Sequence, residues 1–355
     1  MNTAPEKILL KGNEAVAHGA LAAGLRCYFG YPITPQNEIP EMLSSALPEA
    51  GGEFVQAESE LASANMLMGA VAAGVRAMTS SSSPGMSLMQ EAISYMAGGE
   101  LPGVMVNMSR GGPGLGDINP AQGDYYQSTR GGGHGDYRTL VLAPSGCQEA
   151  HDMMIQAFDL AWKYRNPVIV LGDGIIGAMK EPVRLWKPKT IDQHGADGWI
   201  LSGCKSREKR LIRSLFLEEG ALAVHNLKLN AKYQAMQVEV RAEEFETADA
   251  ELVVVAFGSI ARIVKSVIRD LRAEGHKIGL ARPLTLYPFP SDMLLKLAKK
   301  GKRFLTIEHN LGQMVDDVRL AVRGYADSEF FSQPPGNIPS TDDFSAPILD
   351  AMRRK

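Results

Sequence analysis

Short apolar runs alternate with helical segments from residue 7 to about residue 185, and this alternation limits the possible fold more than any other feature. The predicted strands occupy residues 26–31, 53–57, 75–80, 103–108, 139–144 and 167–173. The predicted helices occupy residues 14–25, 38–47, 59–74, 85–96 and 147–163. Strands that alternate with helices of this length are typical of a parallel sheet covered on both faces. The sequence therefore predicts an α/β fold that binds ligands beyond the carboxyl ends of its strands.

The remainder of the chain reads as a connector followed by a second α/β unit. Residues 207–245 form a charged region predicted to be helical. Its apolar residues fall into one seam, which predicts a helix that bridges domains or packs against a partner chain: Leu222, Leu229, Tyr233, Met236 and Val240. The second unit has predicted strands at 251–259, 277–283 and 303–310 and predicted helices at 260–274 and 294–299.

Three segments result from this reading. We predict a first domain at 1–185, a connector at 186–247 and a second domain at 248–355. Residues from 328 onwards are rich in proline and serine, so we expect this tail to be extended.

Charge and hydropathy exclude two classes of partner. The net charge of −3 and the pI near 6.2 offer no basic surface to a nucleic acid. No apolar run approaches the roughly 18–20 residues that a membrane span needs. The segment MNTAPEKILL, residues 1–10, also lacks a signal-peptide pattern. We therefore expect a cytoplasmic protein without a membrane span.

The three cysteines are Cys27, Cys147 and Cys204, and their wide spacing contains no CxxC pair. This spacing argues against an iron–sulfur cluster or a structural zinc site built by this chain alone, and it offers no disulfide framework. We expect all three to be small buried apolar residues.

Thr34 lies in the segment YPITP, residues 31–35, directly after a predicted strand. Pro35 favours extended backbone at Thr34 and suits the first turn of a helix, so Thr34 is a natural N-cap. The same turn lies at the carboxyl end of a strand, where a hydroxyl and a helix N-terminus could meet an anionic substrate. These residues alone leave both roles open.

Two acidic residues and one arginine follow other strands. Glu58 and Glu60 precede a helix that is nearly free of charge up to Gly74 and that we expect to be deeply buried. A carboxylate in such a place needs a partner or has a shifted pKa, although acidic residues also suit a first helical turn. Arg110 leaves a buried strand directly into a glycine-rich segment, and its guanidinium could bind a carboxylate through two hydrogen bonds.

Three other motifs indicate structure more than chemistry. The glycines of residues 107–137 do not match GxGxxG, and a loop of this length is more typical of ligand binding than of a simple connection. His134 and Asp136 lack a third ligand for a metal, so we expect structural hydrogen bonds there. The serines of residues 79–91 lack a G-x-S-x-G elbow and fit a polar pocket rim, and residues 257–259 fit a helix cap.

Several motifs, in chain order, resemble those of one family. They are GYPITP, QAESE, TSSSSPG, RGGPG, GGGHGDY, RPLTLYPFP and EHNLGQM. This collinear set resembles the α subunit of the 2-oxoacid:ferredoxin oxidoreductases, and it is most similar to the branch that acts on 3-methyl-2-oxobutanoate. The resemblance implies a thiamine-diphosphate pyrimidine-binding-type domain followed by a domain like the C-terminal domain of transketolase.

The resemblance also implies a reaction and its cofactors. The family decarboxylates a 2-oxoacid with thiamine diphosphate, passes electrons through iron–sulfur clusters to ferredoxin and transfers the acyl group to coenzyme A. Mg²⁺ and the [4Fe–4S] clusters are expected in partner subunits, namely a β subunit, a γ subunit and a ferredoxin-like subunit. The alternatives are 2-oxoglutarate, pyruvate or an aromatic 2-oxoacid as substrate, a non-catalytic scaffold of the same complex, and a serine hydrolase built on residues 80–83.

The resemblance assigns roles to three residues by their motif positions, and three more are expected at the cofactor. Glu60, rather than Glu58, matches the carboxylate that bonds the pyrimidine nitrogen of thiamine. Thr34 matches the residue that faces the reacting end of the substrate, and Arg110 matches the arginine that holds the 2-oxoacid carboxylate. The remaining three, expected with Glu60 at the cofactor, are Tyr31, Pro32 and Ser83.

Overall fold

The structure is a computed structural model that describes residues 7–188 and 198–354. Residues 1–6, 189–197 and 355 lie outside these ranges. They include part of the predicted connector and part of the segment on which the signal-peptide argument depends.

Within the described ranges the chain alternates strands and helices as the sequence predicts. The strands are β1 Lys7–Lys11, β2 Cys27–Gly30, β3 Glu53–Gln56, β4 Ala77–Ser81, β5 Val104–Ser109, β6 Leu140–Leu142, β7 Val168–Asp173, β8 Lys180–Arg184, β9 Ala242–Phe245, β10 Leu252–Val255, β11 Ile278–Pro283, β12 Thr285–Tyr287, β13 Arg303–Glu308 and β14 Ser328–Ser332. The helices are α1 Gly12–Ala22, α2 Glu38–Glu49, α3 Glu60–Ala72, α4 Ser83–Gly98, α5 Tyr125–Arg130, α6 Cys147–Tyr164, α7 Gly174–Ala178, α8 Ala221–Ala235, α9 Gly258–Ala273, α10 Ser291–Lys299, α11 Met314–Val322 and α12 Asp342–Arg353.

The first large sheet has seven strands in the order β12-β6-β7-β5-β4-β2-β3. All neighbours pair in parallel except β12, which runs antiparallel to β6. Every residue of the central strands β4, β5 and β7 is buried. Strands are buried along their whole length in this way when helices cover both faces of a parallel sheet. The predicted α/β class is therefore confirmed.

The second large sheet has five strands in the order β14-β13-β10-β11-β9. Its strands are parallel except β9, which pairs antiparallel with β11. Helix α9 packs on this sheet through an apolar face with helical spacing, which includes Ile260, Val264, Val267 and Leu271. A separate two-stranded sheet joins β1 to β8.

One strand crosses between the two halves of the sequence. β12 follows β11 of the second sheet almost directly, yet it pairs with β6 of the first sheet, where Thr285 lies opposite Leu142. The backbone N–H of Ala143 also donates a hydrogen bond to the Leu284 carbonyl at 2.8 Å. No single position in the sequence therefore separates the strands of the first sheet from those of the second.

The predicted long helix over residues 207–245 is wrong in its extent. Only α8 and the 3₁₀ turn Met236–Glu239 are helical, and the region then continues into strand β9. Leu229, Tyr233 and Met236 of the predicted apolar seam are buried within this chain, whereas Leu222 and Val240 are 49% and 40% exposed. Most residues of 207–219 are exposed, and Arg207 and Arg210 donate to the Ile200 carbonyl, so this stretch buries no apolar face that would stabilise a helix.

The prediction of an extended tail is correct only in part. β14 pairs in parallel with β13, and the chain then ends in helix α12, which buries Phe344, Ile348 and Ala351. These three residues recur at helical spacing, a pattern that the proline and serine content of the tail obscured.

Two predictions of burial fail. Cys147 is buried, but Cys27 is only half-buried and Cys204 is exposed. Helix α3 buries a single face, and Leu61 and Met66 on its other face are 43% and 37% exposed.

Among the described residues, no helix is both long enough and apolar enough to cross a membrane.

Candidate functional site

Four adjacent parallel strands bring the predicted site residues to one edge of the first sheet. The strands β5, β4, β2 and β3 are neighbours in that order. Arg110, Ser83, Thr34 and Glu60 follow the carboxyl ends of these strands, in the same order. Because the carboxyl ends of parallel strands meet at one edge, side chains far apart in sequence become neighbours here.

Arg110 is almost completely buried, and three groups bind it: the carbonyls of Thr34 and Leu115 and the hydroxyl of Ser83. The residue is 8% exposed. Its Nη1 donates to the Thr34 carbonyl at 3.0 Å, and its Nη2 donates to the Leu115 carbonyl at 3.1 Å. Its backbone N–H donates to Ser83 Oγ at 3.0 Å. The predicted proximity of Thr34 and Arg110 is therefore present, through the backbone of Thr34.

Ser83 connects Arg110 to the partly buried carboxylate of Asp124. The Ser83 hydroxyl donates to Asp124 Oδ2 at 2.5 Å while it accepts from the Arg110 backbone. Asn107 Nδ2 donates to the same Asp124 oxygen at 2.8 Å. The Ser83 hydroxyl is thus already engaged within the protein. Asp124 was not identified from the sequence, because nothing in the segment GDYY distinguishes its aspartate from a solvated loop residue.

Of the two roles left open for Thr34, that of a helix N-cap is absent from the structure. Helix α2 begins only at Glu38, and the Thr34 hydroxyl accepts a 3.3 Å hydrogen bond from the Asn37 side chain instead of capping backbone N–H groups. The reason lies in Gln36, whose side chain is buried and accepts a 2.5 Å hydrogen bond from Ser80. This inward turn of the chain delays the helix.

Gln36 belongs to a buried polar row beneath the site. Ser80 shares a 2.7 Å hydrogen bond with the Tyr28 hydroxyl in addition to its bond with Gln36. Burial raises the pKa of Tyr28 well above its ordinary value. Ser80, Ser81 and Ser82 are all buried, and no histidine is among their hydrogen-bond partners in the described parts of the chain. This arrangement does not fit the alternative of a serine nucleophile.

Glu60 is the first residue of helix α3 and is 6% exposed. Ser59 caps the helix by accepting from the Ala62 N–H at 3.1 Å, so the Glu60 side chain is not needed for capping. Across residues 7–188 and 198–354, the Glu60 carboxylate has no hydrogen-bond or ion-pair partner. A Cβ on Gly85 would lie 2.5 Å from Glu60 Oε1. Glycine at position 85 therefore leaves the space that this carboxylate occupies.

The other acidic and aromatic candidates differ from Glu60 in exposure. Glu58 is exposed, which agrees with the choice of Glu60 over Glu58. Tyr31 is 39% exposed and Pro32 is also exposed, just before the half-buried Thr34. These two residues line the outer side of the turn at the edge of the sheet.

Among the described residues, five of the fifteen buried side-chain polar atoms without partners lie on or just beyond the strands of this edge. In the described part of the chain, those near the strand ends are Thr79 Oγ1, Ser82 Oγ, Gln36 Nε2, Asn107 Oδ1 and Arg110 Nε. Buried polar groups in native proteins are nearly always hydrogen-bonded to protein, ordered water or a ligand. The cluster is therefore consistent with a bound polar ligand at the carboxyl ends of β2, β4 and β5.

Asp173, at the end of β7, joins the two large sheets. Its Oδ1 accepts from the N–H groups of Ile175 and Ile176 at 3.0 and 3.1 Å, and its other oxygen bonds the Ser259 hydroxyl. Complete burial raises the pKa of Asp173 to about 6. The Ser259 hydroxyl was expected to cap its own helix α9, but it contacts this carboxylate instead.

His134 and Asp136 do not have the predicted structural role. Both residues are exposed, and their side chains make no hydrogen bond within the described ranges. No group of three or more His, Cys, Asp or Glu side chains in those ranges is arranged to hold a metal ion.

Two family models match consecutive parts of the sequence. One is described as "Pyruvate flavodoxin/ferredoxin oxidoreductase, thiamine diP-bdg" and matches residues 18–248. The other is described as "Pyruvate:ferredoxin oxidoreductase core domain II" and matches residues 250–344.

Curated proteins match over most of their length. The ketoisovalerate oxidoreductase subunit VorB of Methanothermobacter thermautotrophicus is 50% identical over 332 residues, which cover 93% of this chain and 94% of that protein. The 2-oxoglutarate synthase subunit KorA of Methanocaldococcus jannaschii is 38% identical over 347 residues, which cover 87% of this chain and 90% of that protein.

Two solved structures share the fold. A 2-oxoglutarate:ferredoxin oxidoreductase from Magnetococcus marinus, solved with 2-oxoglutarate, coenzyme A and succinyl-CoA bound, matches with a TM-score of 0.87 and 25% identity. The match covers 98% of this chain and 66% of that chain. A split-gene transketolase matches with a TM-score of 0.60 and 13% identity over 97% of this chain and 98% of that chain, which shows likeness of fold alone.

Proposed function

This chain belongs to the family of 2-oxoacid:ferredoxin oxidoreductase subunits, and from that premise we propose that it binds the pyrimidine half of thiamine diphosphate together with the 2-oxoacid. The predicted family is confirmed. So is the predicted fold, a pyrimidine-binding-type sheet followed by a transketolase C-terminal-like unit. The enzyme depends on thiamine diphosphate and reduces ferredoxin as it oxidises a 2-oxoacid. The overall proposed reaction converts a 2-oxoacid, coenzyme A and two oxidised ferredoxins into an acyl-CoA, CO2, a proton and two reduced ferredoxins.

The observation that carries the proposal is the Glu60 carboxylate, which is buried and has no partner in the described residues. Glu60 is only 6% exposed and its carboxylate receives no hydrogen bond from the described residues, so it can accept one from a ligand. The pyrimidine ring of thiamine offers a ring nitrogen that can share a proton with a carboxylate, and Gly85 leaves the space in which the Glu60 carboxylate lies. The Glu60 site thus fits the cofactor. Glu60 would hold the proton at the ring nitrogen and so favour the imino form of the neighbouring amino group.

When bound, thiamine diphosphate supplies the carbanion chemistry that decarboxylation of a 2-oxoacid requires. The chain's own contribution is to bind and orient. Arg110 has five N–H groups, of which one on Nη1 and one on Nη2 are used by carbonyls. The remaining N–H groups can form the paired hydrogen bonds by which arginine binds a carboxylate. We therefore assign Arg110 to the substrate carboxylate and the Thr34 hydroxyl to the reacting end of the substrate.

The Glu60 assignment is tested with a pair of variants two residues apart. Glu60→Gln should lower 2-oxoacid-dependent viologen reduction by the assembled complex about 100-fold or more, because a proton-transfer group is lost. Glu58→Gln is the matched control, since Glu58 is exposed, and it should retain near-normal turnover. Unchanged turnover in Glu60→Gln with the complex intact would favour the scaffold alternative instead.

We propose a branched-chain 2-oxoacid, 3-methyl-2-oxobutanoate, as the substrate. The support is the identity of 50% and 49% to two ketoisovalerate oxidoreductase subunits, against 38% to a 2-oxoglutarate synthase subunit and 30% to a pyruvate synthase subunit. The test is a panel of 2-oxoacids on the purified complex. A kcat/KM for 2-oxoglutarate or pyruvate above that for 3-methyl-2-oxobutanoate would overturn this substrate.

We further propose that a β subunit completes the site and carries Mg²⁺, the cofactor diphosphate and iron–sulfur clusters. A γ subunit and a ferredoxin-like subunit would complete a cytoplasmic complex. The support from this chain is the exposed apolar face of helix α3, with Leu61 and Met66, directly beside the buried Glu60.

Met66→Glu should weaken co-purification with the β subunit without lowering the stability of the chain alone. Leu320→Glu, at another exposed leucine, is the control. Equal assembly of both variants would argue against this interface.

A further inference from the structure

The glycine-rich segment after Arg110 folds back onto its own root. The N–H of Gly111 donates to the Asn119 carbonyl at 3.0 Å, and the N–H of Asp117 donates to the Gly111 carbonyl at 2.9 Å. Arg110 and Pro120 form an antiparallel bridge. Residues 110–120 therefore form a closed loop, and Pro120 lies directly opposite the backbone of Arg110.

Gln122 ties this loop to the second large sheet. Its side chain is 2% exposed and donates to the Phe257 carbonyl at 2.9 Å while it accepts from the His309 N–H at 3.2 Å. Its own N–H donates to the His309 carbonyl at 2.8 Å. Phe257 and His309 follow β10 and β13, so one glutamine contacts two strand ends of the second sheet.

A second contact attaches the same loop to the C-terminal part of the chain. Asn119 Nδ2 donates to the Gly336 carbonyl at 3.3 Å. The segment that contains Gly336 is itself joined to the second sheet, because the N–H of Gln333 donates to the Glu308 carbonyl at 2.9 Å. The loop is thus held at two points by elements that the sequence places more than 130 residues away.

The contacts of Asn119 and Gln122 lie within two residues of Pro120, the residue that pairs with Arg110. Arg110 is bound on one side by Ser83, the first residue of helix α4, and on the other by the closed loop, whose Leu115 carbonyl also accepts from the guanidinium. We infer that Gln122 is a positioning residue for Arg110: through it the second sheet fixes the place at which the guanidinium meets the substrate carboxylate. This inference rests on the proposed role of Arg110.

The consequence is a specific kinetic defect. Paired hydrogen bonds to a carboxylate depend strongly on geometry, and small displacements of a positioned group lower rates up to about 100-fold. Loss of the Gln122 contacts should therefore raise the KM for the 2-oxoacid about 10-fold or more, with a smaller change in kcat. The apparent affinity for thiamine diphosphate should stay unchanged, because Glu60 lies on another strand end.

The experiment uses the assembled complex and five variants. Gln122→Leu removes the two side-chain hydrogen bonds. If Gln122→Leu does not assemble, Asn119→Ala takes its place, and it removes the contact to Gly336 together with the 2.6 Å hydrogen bond from Asn119 Nδ2 to Asp117 Oδ2 inside the loop. Gln148→Leu is the matched control, because Gln148 likewise bonds one backbone N–H and one backbone carbonyl, both of Arg184, at a distant place. Arg110→Ala, alone and combined with Gln122→Leu, completes a double-mutant cycle.

The expected result is a raised KM in Gln122→Leu, a normal KM in Gln148→Leu, and no further rise when Gln122→Leu is added to Arg110→Ala. Additive effects in the cycle, or a normal KM in both Gln122→Leu and Asn119→Ala, would overturn the inference while the role of Arg110 stands. An unchanged KM in Arg110→Ala would instead overturn the proposed role of Arg110 and the inference with it.

Discussion

Asp173→Asn is expected to change how the stability of the chain depends on pH. Asp173 is completely buried, and its Oδ1 caps helix α7 through the N–H groups of Ile175 and Ile176. Asparagine has the same shape, so its Oδ1 can keep both bonds while its Nδ2 donates to the Ser259 oxygen. The substitution therefore removes a buried charge and preserves most of the local geometry.

The magnitude follows from the pKa. Burial raises the pKa of Asp173 from 3.8 to about 6, so the folded state binds a proton more tightly than the unfolded chain. Its contribution to stability is present below about pH 4 and is lost as the pH rises through about 6. Each tenfold change in proton binding is about 1.4 kcal/mol, which gives a loss of about 3 kcal/mol for the wild-type chain. The neutral asparagine has no such loss.

The assay is denaturant unfolding of the purified full-length chain at several values between about pH 4 and pH 7. The free energy of unfolding of Asp173→Asn minus that of the wild type should rise by about 3 kcal/mol across this range. Asp270→Asn, at an exposed aspartate of helix α9, should run parallel to the wild type. Parallel profiles for wild type and Asp173→Asn would refute the argument that burial of Asp173 opposes its ionisation.

Three further substitutions test other parts of the structure. Thr34→Val should lower turnover at least about 10-fold with little change in melting temperature, because only a half-exposed hydroxyl bond is lost; equal losses of both would contradict the substrate role. Gly85→Ala should raise the thiamine diphosphate concentration needed for half-maximal activity, since its Cβ would overlap Glu60, and normal cofactor dependence would exclude that overlap. Arg282→Lys should lower the free energy of unfolding by about 3 kcal/mol, because it breaks a forked pair with the Glu149 carboxylate; a loss below about 1 kcal/mol in chemical unfolding would contradict this estimate.

The fold and the edge that holds the site follow from local patterns in the sequence. Buried strands such as β10 are continuous apolar runs, and helices such as α9 carry one apolar face, so the order of elements can be predicted without knowledge of contacts. Parallel pairing then brings residues after β2, β3, β4 and β5 to one edge. This is why Thr34, Glu60 and Arg110 could be proposed as neighbours.

The features that the sequence did not predict depend on contacts between distant residues. Gln36 turns inward because Ser80 lies beneath it, and this contact moves the start of α2 to Glu38. Asp124 is a site residue only because Ser83 and Asn107 converge on it. Local propensity contains no information about such partners.

The exposed side of helix α3 shows a second limit of predicting burial from sequence. Its residues are apolar almost throughout, and apolar composition predicts burial without saying by which chain. The chain itself covers only one face of the helix, so the prediction of deep burial failed within the single chain.

The pairing of β12 with β6 has a consequence for how the chain can be divided. β6 is short and completely buried, and β12 covers the edge that it would otherwise present. A chain that ended near residue 248 would leave this apolar strand with unpaired backbone groups. Such an edge can pair with a strand of another chain, so the truncated protein is expected to aggregate. The second half expressed alone would carry β12 without the strand it pairs with. Although the family models meet between residues 248 and 250, the two halves are expected to aggregate when made separately and to recover solubility when produced together.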